Sequence, residues 1–250
     1  MQKIILEGKK INKSFHSGEK KNHVLKDISL SVQAGEYLSI MGPSGSGKST
    51  LLYAISGMDN VDSGEVQING KQVVGLSEKD AASVRLEEMG FIFQQPSFLK
   101  QLNILDNIVL PAFQLKKKNR EDIYARAKSL MEACGIGYLA DRPINKVSGG
   151  ELQRAAICRA LINSPQIIFG DEPTGALNSK SSEEIIQLLK KIREDGCTVI
   201  LVTHDPKVAT SSNRVLFLKD GEIASDLKLE GLLEEEKRDL VLAKMKELDI

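Results

Sequence analysis

Cysteine is scarce in this sequence. Of the 250 residues only three are cysteines, and Cys134, Cys158 and Cys197 lie far apart along the chain. Three residues at these separations are too few for a disulfide framework or for a zinc site. We therefore expect three reduced thiols, the state that cysteines keep in a reducing cytosol.

The sequence also lacks a long apolar run. It has no uninterrupted apolar stretch of about 18 residues, the length that a membrane-spanning helix would need. The stretch 1–15 mixes charged and apolar residues and lacks the continuous apolar core of a signal peptide. We expect a soluble protein that stays in the cytoplasm unless a partner holds it elsewhere.

An excess of charge of either sign is absent as well. Lysine and arginine total 34, aspartate and glutamate also total 34, and the formal net charge is +0. Dedicated nucleic-acid binders usually carry a basic excess, so this balance speaks against nucleic acid as the partner. Hydrophobic residues make up 41% and charged residues 27%, which is typical of a globular chain and excludes disordered, collagen-like and coiled-coil proteins. At this length we expect one large domain or two small ones.

Apolar periodicity predicts an α/β fold. Short apolar runs alternate with helical patterns, which is typical of a parallel sheet covered by helices, and the stretch 104–163 is a helical insertion with few strand signals. Asparagine-glycine at 69–70 and aspartate-glycine at 220–221 predict tight turns. The predicted strands lie near Ile4 to Ile11 and at His23–Val32, Tyr37–Met41, Gly64–Ile68, Phe91–Phe93, Gln166–Phe169, Thr198–Val202 and Val215–Leu218, and further predicted helices are Lys48–Ser56, Ser77–Glu88 and Ser181–Glu194.

A glycine-rich segment predicts a phosphate-binding loop. The segment GPSGSGKST fits the pattern G-x-x-x-x-G-K-[ST] and lies between an apolar strand and a helix, as the mechanism requires. Its glycines let backbone N–H groups face phosphate oxygens, and the helix start adds positive potential. Lys48 would contact the outer phosphates and Ser49 would ligate Mg²⁺, whereas the alternative is a glycine-rich turn without a ligand. The loop comprises Gly42, Pro43, Ser44, Gly45, Ser46, Gly47, Lys48, Ser49 and Thr50.

A pair of carboxylates follows a second apolar run. The segment IIFGDE ends in Asp171 and Glu172, which places both at the carboxyl end of a core strand, where open α/β sheets bind ligands. Asp171 would hold Mg²⁺ and Glu172 would polarise the attacking water. The alternative is an ordinary helix cap before Pro173, but a phosphate loop in the same chain favours catalysis.

A second anion-binding device lies at the start of a predicted helix. In the segment VSGGELQR, Ser148 and Glu151 fit a capping box, which is a common way for a helix to begin. The two glycines, Gly149 and Gly150, leave backbone N–H groups bare at that helix start, where an anion can bind. One nucleotide should not need both devices.

Taken in order, these motifs resemble those of the ATP-binding subunits of ABC transporters. The set is the phosphate loop, FQQ at Phe93–Gln95, SGGE, an apolar run before DEPT, and a final TH, and it extends from Ile11 to about Ser225. The resemblance implies a P-loop NTPase core with a mostly parallel sheet, an N-terminal antiparallel β subdomain and an inserted helical subdomain. It implies an ABC ATPase domain over 1–225, with the helical subdomain at about 97–163. The remaining stretch 226–250, which has five basic and eight acidic residues, is predicted to be an amphipathic helical tail.

The resemblance also assigns roles to residues. It implies a catalytic set of Lys48, Gln94, Glu172 and His204, and a Mg²⁺ set of Ser49, Gln94 and Asp171. It implies that Val147–Glu151 is the ABC signature, Gly175–Asn178 the D-loop, Gln94 a sensor of the permease, His204 the switch at the γ-phosphate, and Phe15 the ring that stacks on adenine, with His16 as a competing stacker. Asn178 replaces the usual aspartate, which puts crosstalk between two ATP sites in doubt.

The partners implied by the resemblance are a second copy of the chain and a membrane protein. Two subunits would pair head to tail, so that each ATP lies between one Walker A loop and the signature of the other subunit. The homodimer would close on two Mg·ATP and drive a separate integral membrane permease, held beside Gln94 near Ser97–Asn107. The chain would then lie peripherally at the cytoplasmic face of the cell membrane.

Four short strings narrow the resemblance to one clade. The strings DEPTGALN, GFIFQQ, VTHDP and KDGEI resemble the ATPases of macrolide exporters, lipoprotein-release systems and bacitracin-type resistance transporters, whose permeases carry large extracytoplasmic domains. The string GALNSK and the long tail favour the antimicrobial-peptide resistance branch, with lipoprotein release or macrolide export as the alternative. A soluble ABC protein acting on nucleic acid or ribosomes is disfavoured, because the chain has one ATPase unit and no long coiled coil.

Overall fold

The computed structural model describes residues 3–18 and 20–250, so Met1 and Gln2 of the expected ATPase domain lie outside the described residues. The first sheet has the strand order β2-β1-β4-β5 and is antiparallel throughout. Its strands are β1 at Ile4–Ser17, β2 at Lys20–Gln33, β4 at Ser63–Ile68 and β5 at Lys71–Gln72. This sheet confirms the predicted N-terminal antiparallel unit.

The turn at Asn69 and Gly70 joins β4 to β5 as predicted. Both residues have positive φ, 54° at Asn69 and 76° at Gly70. The tight hairpin turn of type I′ needs positive φ at both central positions, which asparagine and glycine tolerate best.

The second sheet forms the core and has the strand order β10-β9-β3-β8-β7-β6. Five of its strands run parallel, and only β10 pairs antiparallel, with β9. The strands are β3 at Tyr37–Met41, β6 at Met89–Phe93, β7 at Ile167–Asp171, β8 at Thr198–Val202, β9 at Arg214–Lys219 and β10 at Glu222–Lys228. The predicted mostly parallel sheet is therefore confirmed.

Alternate residues of the core strands face opposite layers. In β8, Val199 and Leu201 pack with the inserted helices, whereas Ile200 and Val202 pack with the first helix and the antiparallel sheet. Successive strand residues point to opposite faces, and both faces of this sheet are covered, which explains the continuous apolar runs in the sequence. The loops at the carboxyl ends of β3, β7 and β8 are thereby held on a rigid support.

Eight α-helices complete the described part of the chain. They are α1 at Lys48–Ile55, α2 at Glu78–Glu88, α3 at Ile104–Leu115, α4 at Arg120–Ala133, α5 at Gly149–Leu161, α6 at Ser179–Glu194, α7 at Pro206–Thr210 and α8 at Glu234–Leu248. Most begin at a serine, asparagine or aspartate whose side chain accepts a backbone N–H of the first turn. Helices α3, α4 and α5 lie within the stretch that the sequence marked as an insertion.

The C-terminal helix is shorter than the predicted tail. Asp226 and Lys228 belong to β10, where the Arg214 guanidinium donates to both Asp226 carboxylate oxygens at 2.6 and 2.7 Å. The tail prediction is thus wrong in its start, because pairing with β9 holds these residues in a strand until the chain turns into α8. Val241 of α8 is buried in the same apolar cluster as Phe217 of β9. Across the ranges that the structure describes, no helix is both long and apolar enough to cross a membrane.

Candidate functional site

The phosphate loop joins the end of β3 to the start of α1. Gly47 has φ of 99°, a backbone conformation that side chains other than glycine rarely adopt. At Gly42 a Cβ atom would come within 2.1 Å of the Leu218 carbonyl oxygen, so the loop can run against β9 only with glycine there. The motif glycines are therefore required by the backbone path itself.

Lys48 extends back over the loop that precedes it. Its Nζ donates to the carbonyl oxygens of Gly42 at 2.9 Å and Pro43 at 2.8 Å. Desolvation by burial lowers the pKa of this ammonium group, and the charges of Glu172 and Asp171 oppose that shift. The Lys48 ammonium group is thus held against the backbone of the glycine-rich loop.

Asp171, at the end of β7, receives hydrogen bonds on both carboxylate oxygens. Ser49 Oγ donates to Oδ1 at 2.9 Å, and the Tyr53 hydroxyl donates to Oδ2 at 2.7 Å. Burial first, and the bond to Asp171 second, raise the pKa of Tyr53 to about 12, which keeps its hydroxyl protonated. Sequence reasoning missed Tyr53, although its position four residues after Ser49 places both on one face of α1.

The donor set at Asp171 fits Mg²⁺ bound together with phosphates. Mg²⁺ prefers hard oxygen ligands and is usually held by one or two carboxylates plus the phosphates of a substrate. Ser49 and Asp171 supply a hydroxyl and a carboxylate beside the phosphate loop. Within residues 3–18 and 20–250, no group of three or more His, Cys, Asp or Glu side chains is arranged to hold a metal by protein ligands alone.

Glu172 and His204 lie next to each other at the ends of β7 and β8. Glu172 Oε1 is 3.0 Å from His204 Nδ1. An ionised carboxylate only accepts hydrogen bonds, so in this pair Nδ1 donates and Nε2 is left for a ligand. Glu172 has φ of 46°, a strained left-handed conformation, and its backbone N–H donates to the Val202 carbonyl oxygen at 3.0 Å. Residues held in this way are frequent at functional sites.

One cleft of about 540 Å³ brings some of the predicted groups together. Phe15 of β1 lies at one end with an exposed fraction of 45%, and Lys13 Nζ is 5.0 Å from its ring centroid. His16 is exposed as well. The cleft is lined by Phe15, Val24, Ser44, Gly45, Gly47, Lys48, Ser49, Thr50, Glu172 and His204. An aromatic ring, a phosphate loop and an acid–histidine pair thus share one space.

Gln94 follows β6, and its side chain lies near Gly175 together with that of Glu172. A Cβ atom at Gly175 would lie 2.8 Å from Gln94 Nε2 and 3.2 Å from Glu172 Oε2. The fold therefore gathers Gln94, Glu172 and the start of the D-loop segment, and the small residue at Gly175 permits that approach.

The SGGE segment lies outside this cleft. Ser148 caps α5: its Oγ accepts the Glu151 N–H at 3.4 Å, and its own N–H donates to Glu151 Oε2 at 2.6 Å, which confirms the predicted capping box. The Ser148 hydroxyl also donates to Glu151 Oε2 at 2.7 Å. The Tyr138 hydroxyl, which sequence reasoning missed, donates to Glu151 Oε1 at 2.6 Å. Hydrogen bonds from Tyr138 and then from Ser148 lower the pKa of Glu151 to about 2. The start of α5 is thus held in place by a firmly ionised carboxylate. Gly149 there is exposed, but Gly150 is buried beside Ser181, so the predicted bare helix start is wrong for Gly150.

Comparison with known proteins identifies the family to which this chain is similar. Residues 25–175 match the family model described as ABC transporter. The macrolide export ATP-binding/permease protein MacB of Aggregatibacter actinomycetemcomitans is 44% identical over 222 residues, 89% of this chain and 34% of that protein. The bacitracin export ATP-binding protein BceA of Halalkalibacterium halodurans is 42% identical over 224 residues, 89% of this chain and 88% of that protein. This chain spans about a third of the length of the macrolide-export relatives.

A solved structure gives the same result. A dimeric ATP-binding cassette in a post-hydrolysis state, bound to ADP and phosphate, superimposes with a TM-score of 0.85 at 40% identity, covering 91% of this chain and 100% of that chain. These likenesses confirm the resemblance inferred from the motifs. The chain belongs to the ABC transporter family, as an ATP-binding cassette.

Proposed function

We propose that this chain is the ATP-hydrolysing subunit of an export or antibiotic-resistance transporter, and that it drives a separate integral membrane permease. Cassettes of this family bind ATP and hydrolyse it with Mg²⁺. The observation that carries the proposal is the shared cleft, in which Glu172 and His204 face the phosphate loop that holds Lys48.

In the proposed mechanism the chain's own residues bind the phosphates, orient the attacking water and accept its proton. Backbone N–H groups of the loop and the Lys48 ammonium bind the outer phosphates, and Phe15 stacks on the base. Ser49 and Asp171 would hold Mg²⁺, which would supply positive charge beside the phosphates. Glu172 orients the attacking water and accepts its proton, and its bond to His204 Nδ1 keeps the histidine beside the outermost phosphate.

The separate position of the SGGE segment supports a head-to-tail homodimer. The start of α5, where Ser148 and Gly149 are exposed, offers a helix N-terminus to an anion, yet it lies outside the cleft of its own chain. We infer that they complete the site of a second copy, which explains why one chain carries two anion-binding devices. The related cassette solved as a dimer is consistent with this pairing.

The surface beside β6 supports a permease as the further partner. A mostly apolar groove of about 280 Å³ lies there, lined in part by Met58, Phe91, Phe93 and Pro111. Arg159 closes one end and donates to the Ser97 carbonyl oxygen at 2.6 Å. This groove adjoins the stretch Ser97–Asn107 that the family resemblance implies as the permease contact. Through it the chain would be held at the cytoplasmic face of the membrane.

The system that we propose is bacitracin-type antimicrobial-peptide resistance, with a permease that carries a large extracytoplasmic domain. It rests on the string GALNSK, on the C-terminal extension and on the match to a bacitracin export ATP-binding protein. Macrolide export is the second candidate, because MacB proteins match over the same share of this chain. Lipoprotein release remains the third. Sensitivity of a deletion strain to bacitracin and to erythromycin separates the first two.

Replacing Glu172 with glutamine tests the catalytic assignment. The amide keeps the shape of the carboxylate but cannot accept the proton of the attacking water. We expect ATP binding to be retained, turnover to fall by about 100-fold or more, and a closed dimer to accumulate with ATP. Steady-state phosphate release and light scattering measure these effects.

Glu194→Gln is the control, because Glu194 is an exposed glutamate of α6 without a side-chain partner among the described residues. We expect it to behave as the wild type. Undiminished turnover in Glu172→Gln would contradict the role of Glu172.

A further inference from the structure

Tyr53 makes a contact at the metal site that no step of the proposed mechanism uses. Its hydroxyl donates to Asp171 Oδ2 at 2.7 Å, while Ser49 Oγ donates to the other oxygen, Oδ1, at 2.9 Å. The tyrosine and the aspartate are 118 residues apart in the sequence and meet because α1 packs beside β7. Helix α1 therefore supplies a donor to each oxygen of this carboxylate.

The position of Tyr53 is itself firmly held. Its carbonyl oxygen accepts the backbone N–H groups of Met58 at 2.9 Å and Asp59 at 3.2 Å, and the Ser56 hydroxyl at 3.2 Å. Its ring is half-buried and packs against the core between the two sheets. The hydroxyl is therefore presented from the rigid end of a helix rather than from a mobile side chain.

Two donors on one carboxylate restrict its rotation. With Ser49 alone, the Asp171 carboxylate could turn about its Cβ–Cγ bond and exchange its two oxygens. With Tyr53 on Oδ2, the other oxygen is kept toward Ser49 and the phosphate loop. Groups that orient a metal-binding carboxylate typically change metal affinity by about 10–100-fold when they are removed.

We propose that Tyr53 is a positioning residue for Mg²⁺, and that its hydroxyl orients the Asp171 carboxylate so that Oδ1 faces the metal. This inference rests on the proposed function, because it assumes that Ser49 and Asp171 hold Mg²⁺ with ATP. Tyr53 sets how much Mg²⁺ the chain needs and leaves phosphate binding and the attack of water to other residues.

The test compares Tyr53→Phe with a control variant that removes a second tyrosine-to-aspartate hydrogen bond. Tyr124 donates to Asp106 Oδ1 at 2.8 Å in the helical insertion, so Tyr124→Phe removes the same type of bond far from the nucleotide. ATP turnover is measured against Mg²⁺ concentration for the wild type and both variants. We expect Tyr53→Phe to need about 10-fold more Mg²⁺ for half-maximal turnover, with near-normal turnover at saturating Mg²⁺, and Tyr124→Phe to match the wild type.

A binding measurement supplies a readout that does not depend on turnover. Calorimetric titration with ATP is performed on Glu172→Gln with and without Tyr53→Phe, once with Mg²⁺ and once with EDTA. We expect Tyr53→Phe to weaken binding only when Mg²⁺ is present. A residue with a merely structural role would weaken binding equally in EDTA or would change neither measurement.

The remaining outcomes separate the role of Tyr53 from the proposed ATPase function. Tyr53→Leu keeps an apolar side chain at this position, and it should reproduce the Mg²⁺ shift if Tyr53→Phe does not fold. An unchanged Mg²⁺ requirement in the folded variant overturns the role of Tyr53 and leaves the proposed ATPase intact. If the wild type itself shows no Mg²⁺-dependent turnover, the proposed function fails and the inference fails with it.

Discussion

Single residues in this cassette combine functional chemistry with unusual local geometry. Glu172 adopts φ of 46°, and Gly47 in the loop opposite adopts 99°. Such conformations cost about 1–3 kcal/mol for a residue other than glycine, so the surrounding contacts must hold Glu172 in place. Its N–H donates to the Val202 carbonyl oxygen and its own carbonyl oxygen accepts from Gly175. These contacts outweigh the strain and hold the Glu172 carboxylate beside His204.

Glu151 gives a pH prediction at the residue scale. Its pKa is lowered from an ordinary 4.5 to about 2 in the folded chain, first by the Tyr138 hydroxyl and then by Ser148. A lowered folded-state pKa means that Glu151 stabilises the fold fully above pH 4.5, and that this contribution is lost as the pH falls toward 2. Because Glu151 is only partly buried, solvent screening keeps the effect small.

Urea unfolding of the wild type and Glu151→Gln at several pH values between 2 and 6 measures this contribution. We expect the stability difference between the two to be largest at pH 6 and to shrink toward pH 2. Tyr138→Phe should reduce the difference at pH 6, since it removes the largest cause of the pKa shift. A stability difference that does not vary with pH would contradict the role of these hydrogen bonds.

At the scale of elements, loops and helix starts were the easiest parts to predict. The phosphate loop, the Asn69-Gly70 turn and the Ser148 capping box depend on residues a few positions apart in the sequence. The structure has all three. The boundaries of longer elements depended on pairing partners. Residues 226–228 carry the charge pattern of the tail, yet they join a strand because β9 pairs with them.

Asn178 gives a prediction for an element. Its Oδ1 accepts the Ser181 N–H at 2.9 Å and so begins α6, while it also ends the D-loop segment. Aspartate can accept the same bond, whereas alanine cannot. We expect Asn178→Ala to lower the free energy of unfolding by about 1 kcal/mol and Asn178→Asp to leave it nearly unchanged, as measured by urea denaturation.

Comparison of these two variants separates the effect of Asn178 on the stability of α6 from its effect on the D-loop segment. Asn178→Asp restores the residue that the family usually has, so any change in the cooperativity of ATP turnover with intact stability reports on the D-loop alone. Equal stability of the alanine variant and the wild type would show that the side-chain bond to Ser181 does not stabilise α6.

At the scale of the whole molecule, the prediction concerns the partner. We expect capture of the tagged chain from detergent-solubilised membranes to recover an integral membrane protein. Met58, exposed by 44%, lines the groove beside β6, and an aspartate there would place a charge in the proposed docking surface. Burying an unpaired charge costs several kcal/mol, so Met58→Asp should reduce recovery at least about tenfold while basal ATP turnover stays normal.

Leu240→Asp is the matched control, because Leu240 is exposed by 41% on α8, away from the groove. We expect it to recover the partner as the wild type does. Undiminished recovery with Met58→Asp would place the permease elsewhere on the chain, and recovery of ribosomes or DNA in place of a membrane protein would contradict the transporter assignment.

The sequence by itself determined the local chemistry of this protein and its family. The glycines of the phosphate loop, the acid pair after an apolar run and the SGGE helix start are short patterns whose backbone requirements are met within a few residues. Only the tertiary structure decided which of these patterns meet. The strand order β3-β8-β7 brings the loop, Glu172 and His204 into one cleft, and leaves Ser148 outside it. Tyr53 and Tyr138 were found only in the structure, because a hydrogen bond between distant residues depends on how helices and strands pack.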